Sequence, residues 1–303
     1  MKPTAWRWVA IILVLIGSAS YGLLSPLVKM AYERGWNDVQ VSASQVTMGT
    51  VLLWVLLLVN PRAWSNPFRT PWIRLSAIGI FGLALTTFFL NNSLSRLDAS
   101  LAIVLLFQFT WMTIVLECGF DRKWPTKYQV GAVILVMIGT LLAVDVSGTS
   151  MSELDGVGVA FGLLSGFTYS VFLFFTGRVR TTAHPILKSV IMLTAALPVI
   201  YIIYPPAAVF QSNTGSLVLW GLLLGFLGQA LPAVAFNIGI PRIGATLAAM
   251  LASMELPVAI TAAFLILKEP VGWMQWAGMG LILIGIFVSE RQPKREEEPK
   301  RSE

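Results

Sequence analysis

Apolar runs of about twenty residues alternate along this chain with short polar connections rich in charge, glycine and proline. A helix that crosses a bilayer needs about 20 predominantly apolar residues. The pattern predicts ten such helices, near residues 8–28, 41–59, 72–94, 99–117, 128–145, 157–177, 185–204, 216–240, 244–267 and 271–289. The connections leave no room for a separate soluble domain. Only the stretch from Arg291, RQPKREEEPKRSE, reads as a soluble, disordered tail.

Basic residues orient the array, because short cytoplasmic loops carry an excess of Lys and Arg. With the N-terminus inside, 17 of the 21 Lys and Arg fall on the inner side. Lys29, Arg34, Arg96 and Lys268 are the four outside. The acidic connection with Asp145, Glu153 and Asp155 is then external, and both termini are cytoplasmic. The opening MKPTAWRWVAIILVLIGSASYG has the basic, apolar and small-residue order of a secretory signal. An internal repeat favours a retained helix instead.

Shifted by 146 residues, the chain aligns with itself without a gap from about 72 to 145. Asn91 meets Asn237, Arg96 meets Arg242, and Gln129 meets Gln275. Near the N-terminus, Tyr21 in GSASYG meets Tyr169 in SGFTYS at a shift of 148. Each half carries five spans, an odd number, so the second half enters the membrane the other way up. The fold expected is all-α and integral to the membrane, with ten transmembrane helices in two inverted five-helix repeats. Residues 1–147 form the first repeat, 148–290 the second, and 291–303 the tail. Inverted repeats are a feature of secondary transporters, with the solute site near the midplane where the halves meet.

The stretch Met254-Glu-Leu-Pro-Val-Ala-Ile to Leu267-Lys-Glu269 resembles the ninth-helix pattern of the drug/metabolite transporter superfamily, EamA type. The resemblance extends over essentially the whole chain up to the tail. The chain departs from the pattern at Leu256, which separates Glu255 from Pro257, and at Lys268, where Gly is usual. The resemblance implies helices 1–4 and 6–9 around a central cavity, with helices 5 and 10 peripheral. It also implies export of a small organic metabolite, such as an amino acid or a drug-like amine, across a bacterial plasma membrane. Homodimers are compatible with it.

The placement of polar residues supports the same division. Between Val130 and Val144 the one hydrogen-bonding side chain is Thr140, and between Trp276 and Val288 there is none. Glycines 131, 139, 278, 280 and 285 suit close packing of these two helices. Elsewhere, Gln108, Gln229 and Glu255 lie at the centres of their spans, with Tyr21 and Tyr169 around the middle of theirs. Hydrocarbon offers such groups no partner, so they are expected on a cavity. Trp111, one turn beyond Gln108, is placed to stack on a planar solute. Pro232 and Pro257 lack an N–H and break their helices, freeing the carbonyls of Gly228 and Ser253.

An ionised carboxylate at the bilayer centre costs at least about 2.5–3.5 kcal/mol. Glu255 therefore holds a proton, or faces water and a cationic solute, and one that alternates between the two is a proton-coupling site. The alternative is a structural Glu bonded to a freed carbonyl. Glu117 is expected in an interfacial ion pair with Arg122 or Lys123, and Glu269 as a loop latch. Arg96 and Arg242 read as loop anchors at opposite faces.

Composition closes off other classes. The chain is 56% hydrophobic and 12% charged, against about 25% charged in soluble domains. Its net charge of +6 is spread along the chain, which does not describe a nucleic-acid surface. One cysteine, Cys118, and one histidine, His184, supply neither a disulfide framework nor a Cys/His metal site. No cofactor is expected, and no GxxxxGK[ST] motif couples the chain to ATP. The expected partners are the bilayer, a small solute and the proton. Facilitated diffusion without a proton, an intramembrane enzyme, and a solute-binding scaffold that moves nothing are the competing readings.

Overall fold

The computed structural model describes residues 3–65, 70–97, 99–144, 155–179, 181–205, 207 and 214–290. The expected tail and the acidic residues Asp145 and Glu153 lie outside this set. Among the described residues there is helix and no strand. Among the described residues nine helices are long and apolar enough to cross a membrane: α1 (Trp6–Glu33), α2 (Val39–Leu58), α3 (Trp72–Leu94), α4 (Leu101–Asp121), α5 (Lys127–Val144), α6 (Gly156–Arg178), α7 (Pro185–Ile203), α8 (Leu217–Ile243) and α9 (Ala245–Leu267). A further apolar helix, α10 (Trp273–Ser289), is shorter, where the sequence led us to expect a tenth span.

Local chemistry sets several helix starts. Asn37 and Gln40 form a reciprocal capping box before α2, which satisfies two otherwise orphaned N–H groups. The Asp155 carboxylate accepts the Val157 N–H at 2.9 Å at the head of α6. His184 caps α7 through Nδ1, which accepts the Ile186 N–H at 3.4 Å. The lone histidine is thus occupied by a helix end.

Four helices are irregular within their length. In α3 the stretch Ile78–Ala84 is π-helical, as is Phe226–Ala230 in α8. In α4 the regular helix stops at Phe107–Gln108 and resumes at Phe109. In α9 it stops at Ser253–Met254 and resumes at Glu255. Both stops tighten the backbone. Gln108 donates to the Leu105 carbonyl at 3.2 Å and Thr110 to Phe107 at 3.2 Å, while Ser253 donates to Met250 at 3.2 Å and Met254 to Leu251 at 3.1 Å. The shift of 146 carries Phe107–Gln108 onto Ser253–Met254, and Ala84 onto Ala230.

Proline explains only part of this. Pro257 follows the stop in α9 and Pro232 follows the π segment in α8, as a missing N–H leads one to expect. The counterparts in α3 and α4 contain no proline, and the sequence had given both as uninterrupted. Helices α4 and α9 also end alike, with Arg122 (φ 50°) and Lys268 (φ 57°) in the left-handed region. Those positions are again 146 apart. A left-handed helix end favours glycine, which accounts for Gly being the usual residue where Lys268 stands.

Packing runs mainly between α1–α5 and α6–α10. α1 packs on α8 and α9, and α6 on α3 and α4. α2 packs on α8, α7 on α3, and α2 and α7 meet each other. Exchanging the two groups of five leaves this list unchanged. α5 packs chiefly on α10, and the pair meets the remaining helices through α4 and α9. Between α5 and α10 a Cβ on Gly139 would lie 2.7 Å from the Gly278 carbonyl oxygen, so both helices need the bare backbone. Gly131 and Gly280 differ from that expectation, with no neighbour within 4 Å.

Candidate functional site

A cavity of about 230 Å³ lies where the eight helices other than α5 and α10 converge. Each of the eight contributes at least one lining residue. The polar ones are Tyr21, Gln45, Thr86, Thr87, Tyr169, Gln229 and Glu255. Leucines 24, 83, 90, 106 and 193 form most of the apolar wall. Larger hollows exist, but they are apolar grooves on the outer surface, such as that between α3 and α6 lined by the exposed Phe81 and Phe167. They suit lipid chains rather than a polar solute.

The irregular helix segments build the polar wall. Gln229 sits inside the π stretch of α8, and Glu255 is the first residue after the stop in α9. In the resumed helix the Leu256 N–H donates to the Ser253 carbonyl at 3.4 Å and the Val258 N–H to the Met254 carbonyl at 3.2 Å, so the Ser253 carbonyl is not left free, contrary to expectation. Ser20 of α1 donates to the Leu227 carbonyl of the π stretch at 2.5 Å, which ties α1 to it. Close approach of α1 to α9 requires Gly22, because a Cβ there would lie 2.5 Å from the Glu255 carbonyl oxygen. Gly22 thus seats the backbone that carries the carboxylate.

One end of the cavity is closed by aromatic rings. Tyr169 meets Phe109 edge-on at 4.8 Å and stacks with Phe172 at 5.9 Å. Tyr21 lies 6.0 Å from Phe236, which in turn approaches Phe172 at 6.3 Å. Phe109, Phe172 and Phe236 are fully buried. The two tyrosines belong both to the cavity wall and to this plug.

The cavity has an acid and no base. Glu255 is within electrostatic reach of Tyr21 and Tyr169. No Lys or Arg is among the lining residues. Among the described residues, the side chains of Tyr21, Gln45, Tyr169, Gln229 and Glu255 make no hydrogen bond within the protein. By contrast Thr86 and Thr168 bond each other across α3 and α6 at 2.8 Å.

The structure therefore brings together four of the six side chains expected on a cavity: Tyr21, Tyr169, Gln229 and Glu255. Gln108 and Trp111 are placed elsewhere. Trp111 donates from Nε1 to Gln108 Oε1 at 2.7 Å, and Gln108 Nε2 donates to the Val104 carbonyl at 3.0 Å. The glutamine is satisfied on its own helix, and the tryptophan is 38% exposed on the outer surface. Pro232 is buried behind Gln229 and Pro257 behind Glu255. Sequence reasoning missed Gln45, Thr86 and Thr87. Gln45 carries a signal of its own, a lone amide in VSASQVTMGTV, but it lies nearer the start of α2 than its centre.

Charges at the helix ends are tied down. Lys29 pairs with Glu269, joining the ends of α1 and α9, so Glu269 is the latch anticipated. Arg96 pairs with Asp155 at 3.2 Å. The Val157 N–H and the Arg96 guanidinium hold the Asp155 carboxyl below the usual carboxylate range. Glu117 departs from expectation. Its partner is not a neighbouring Arg or Lys but Thr246, whose N–H donates to it at 2.9 Å and whose hydroxyl donates as well. A carboxylate at a helix N-terminus satisfies orphan donors and complements the dipole. No group of His, Cys, Asp and Glu suited to a metal ion occurs among the described residues.

Comparison with known proteins fits this architecture. The model of the EamA-like transporter family matches residues 8–144 and again 156–290. An uncharacterized transporter of Bacillus subtilis, YcbK, is 24% identical over 283 residues, covering 91% of this chain and 89% of its own. An uncharacterized transporter of Archaeoglobus fulgidus is 22% identical, covering 94% and 99%. A solved crystal structure superposes with a TM-score of 0.74 over 92% of this chain and 98% of its own, at 17% identity, which speaks for the fold. With two matches that together take in nearly every described helix, the chain belongs to the EamA-like transporter family, within the drug/metabolite transporter superfamily, and is a multi-pass membrane protein.

Proposed function

We propose that this protein is a secondary exporter of small organic solutes carrying an amine, either amino acids or drug-like amines, exchanged for protons at Glu255. One observation carries the reading. Glu255 is the single ionisable carboxylate on a cavity that contains no basic residue and offers it no internal hydrogen bond. An uncompensated charge at that depth costs at least about 2.5–3.5 kcal/mol. The carboxylate therefore keeps one neutralising partner at a time, a proton or a cation. That exclusion couples the two flows without any further device. Tyr21, Tyr169 and Gln229 supply hydrogen bonds around the bound group, and Gln45, Thr86 and Thr87 extend the polar wall.

The same reading takes α1–α10 as ten spans in two inverted repeats, residues 1–147 and 148–290, with both termini in the cytoplasm of a bacterium. The unchanged packing list on exchange of halves supports it, as does the excess of basic residues on one side. α10 reaches roughly 25 Å at 1.5 Å per residue, at the short end of spanning length. In this orientation the cavity occupies the middle and outer half of the membrane. The Tyr169–Phe172–Phe236 plug closes the inner half.

Proteoliposomes test the proposal. Counterflow of pooled amino acids and amines is measured with and without an imposed pH gradient, in wild type and Glu255→Gln. Gradient-driven flux in wild type, lost in Glu255→Gln, is the expected result. Equal flux in both, insensitive to the gradient, would establish a facilitator instead. Chemical turnover without net flux would establish an enzyme.

A further inference from the structure

The exchange of halves that leaves the main packing list unchanged fails inside the second half. α7 and α6 pack on the second half of α8 and α6 packs on the first half of α9, while the counterpart pairs α2 with α3, α1 with α3 and α1 with α4 have no comparable packing. Close contacts set the register of that comparison. Gly225 of α8 abuts Gly49 of α2, and Gly79 of α3, 146 residues before Gly225, abuts Met192 of α7. Met192 thus stands where Gly49 does, a shift of 143. It follows that Lys188 corresponds to Gln45, Ser189 to Val46, Phe236 to Leu90 and Asn237 to Asn91.

On the outer side, Gln45 and Val46 face Leu90 across the cavity. On the inner side their counterparts are shut together. Asn237 Nδ2 donates to Ser189 Oγ at 3.0 Å, and Lys188 Nζ donates to the Asn237 carbonyl at 3.1 Å. Ser189 is completely buried, Asn237 is 2% exposed and Lys188 is 6% exposed.

This inner cluster is poorly satisfied for so buried a place. Asn237 Oδ1 has no donor. The Lys188 ammonium has three N–H groups and one partner among the described residues, a neutral carbonyl. The other charge within its electrostatic reach is Arg242, of the same sign. A buried cation kept for packing alone is normally paired. A group that is wetted in a second conformation has no such need.

Building on the exporter reading above, we infer that Lys188, Ser189 and Asn237 are the closed inner gate and, once it opens, the wall of an inner vestibule that binds acidic groups through Lys188. The outer cavity offers an acid and two amides. The inner one offers a base and an amide. A solute that meets Glu255 through its amine meets Lys188 through a carboxylate, so the pair selects zwitterions over simple amines.

Charged thiol reagents of matched size test this in a Cys118→Ala background. Gln45→Cys and Ser189→Cys are each exposed, from either face of oriented vesicles, to a sulfonate and a trimethylammonium methanethiosulfonate, with rates normalised to a free thiol. Ser189→Cys is expected to react from the inner face only, about threefold or more faster with the sulfonate. Adding Lys188→Gln is expected to remove that preference. Gln45→Cys is expected to react from the outer face, faster with the ammonium reagent. If Ser189→Cys reacts from the outer face, or from neither while Gln45→Cys reacts, the gate is refuted. If its reactivity ignores reagent charge, or if Lys188→Gln leaves the preference intact, the acidic-group site is refuted. Failure of Gln45→Cys to react from outside refutes the outward cavity of the exporter reading, and leaves the inner gate to its own result. Asn237→Cys serves as a second reporter should Ser189→Cys not fold.

Discussion

Helices α4 and α9 are the same object built from different sequences. Each stops near its centre, resumes at equivalent positions 146 residues apart, Phe109 and Glu255, and ends on a left-handed cationic residue. α9 carries a proline beside its stop and α4 carries none. At the resumption α4 places Phe109, whose ring packs edge-on against Tyr169, and α9 places Glu255, which faces Tyr21 and the cavity. The backbone break therefore belongs to the architecture, and the carboxylate is what one copy has added to it. Both tyrosines line the cavity, one beside the ring of Phe109 and the other beside the carboxyl group of Glu255.

The comparison breaks most severely at those two residues. Glu255→Gln is expected to cut gradient-driven flux by about tenfold or more with little change in thermal unfolding in detergent. Phe109→Leu is expected to do the reverse, keeping proton-driven flux while losing about 1–2 kcal/mol of stability with the aromatic contact. Comparable loss of flux in both would show that the halves divide no labour.

Next come the glycine crossings that seat each break. A Cβ on Gly22 meets the Glu255 carbonyl at 2.5 Å, and one on Gly166 of α6 meets the Leu106 carbonyl at 2.8 Å. Alanine at either position is expected to destabilise by about 1–3 kcal/mol. The two losses should add in the double variant to within about 0.5 kcal/mol. A stable Gly22→Ala with unchanged flux would disconnect the α1–α9 crossing from the site.

Pro257→Ala sharpens the point about cause. Since α4 stops without proline, α9 should keep its stop, and flux should stay within about threefold of wild type. Loss of all flux would mean that the two breaks differ in origin after all. The smallest effect is expected at the helix ends. Lys268→Gly and Arg122→Gly each relieve a left-handed side chain and should raise stability by about 0.5–1 kcal/mol, read as a small upward shift of the unfolding midpoint. At Lys268 the gain should appear without any change in the Lys29–Glu269 pair beside it.

How far the sequence revealed this molecule depends on what kind of signal each feature leaves. Helix positions followed from apolar run length, because the bilayer demands length and little else. Tyr21, Tyr169, Gln229 and Glu255 were legible because a polar side chain in a central apolar position has few places to go. Gln108 obeyed the same rule yet turned to its own helix and to Trp111, since one turn of backbone and one indole N–H satisfy an amide completely. Depth along a helix is written in the sequence, whereas the facing direction of a wholly apolar helix is not. The breaks in α3 and α4 left no proline as a mark. They were recoverable only by carrying the second half's signals back through the repeat.

The way the helices pair also bears on how the chain is made. Most of the packing joins α1–α5 to α6–α10, and the first group has the least of its own. During synthesis the first five helices enter the bilayer with few of their final neighbours yet in existence. Their small, close-packing surfaces, Gly22, Gly49, Gly79 and Gly139 among them, stay against lipid until the second five arrive. The stability of the finished fold is then a property of the pair of halves rather than of either half alone.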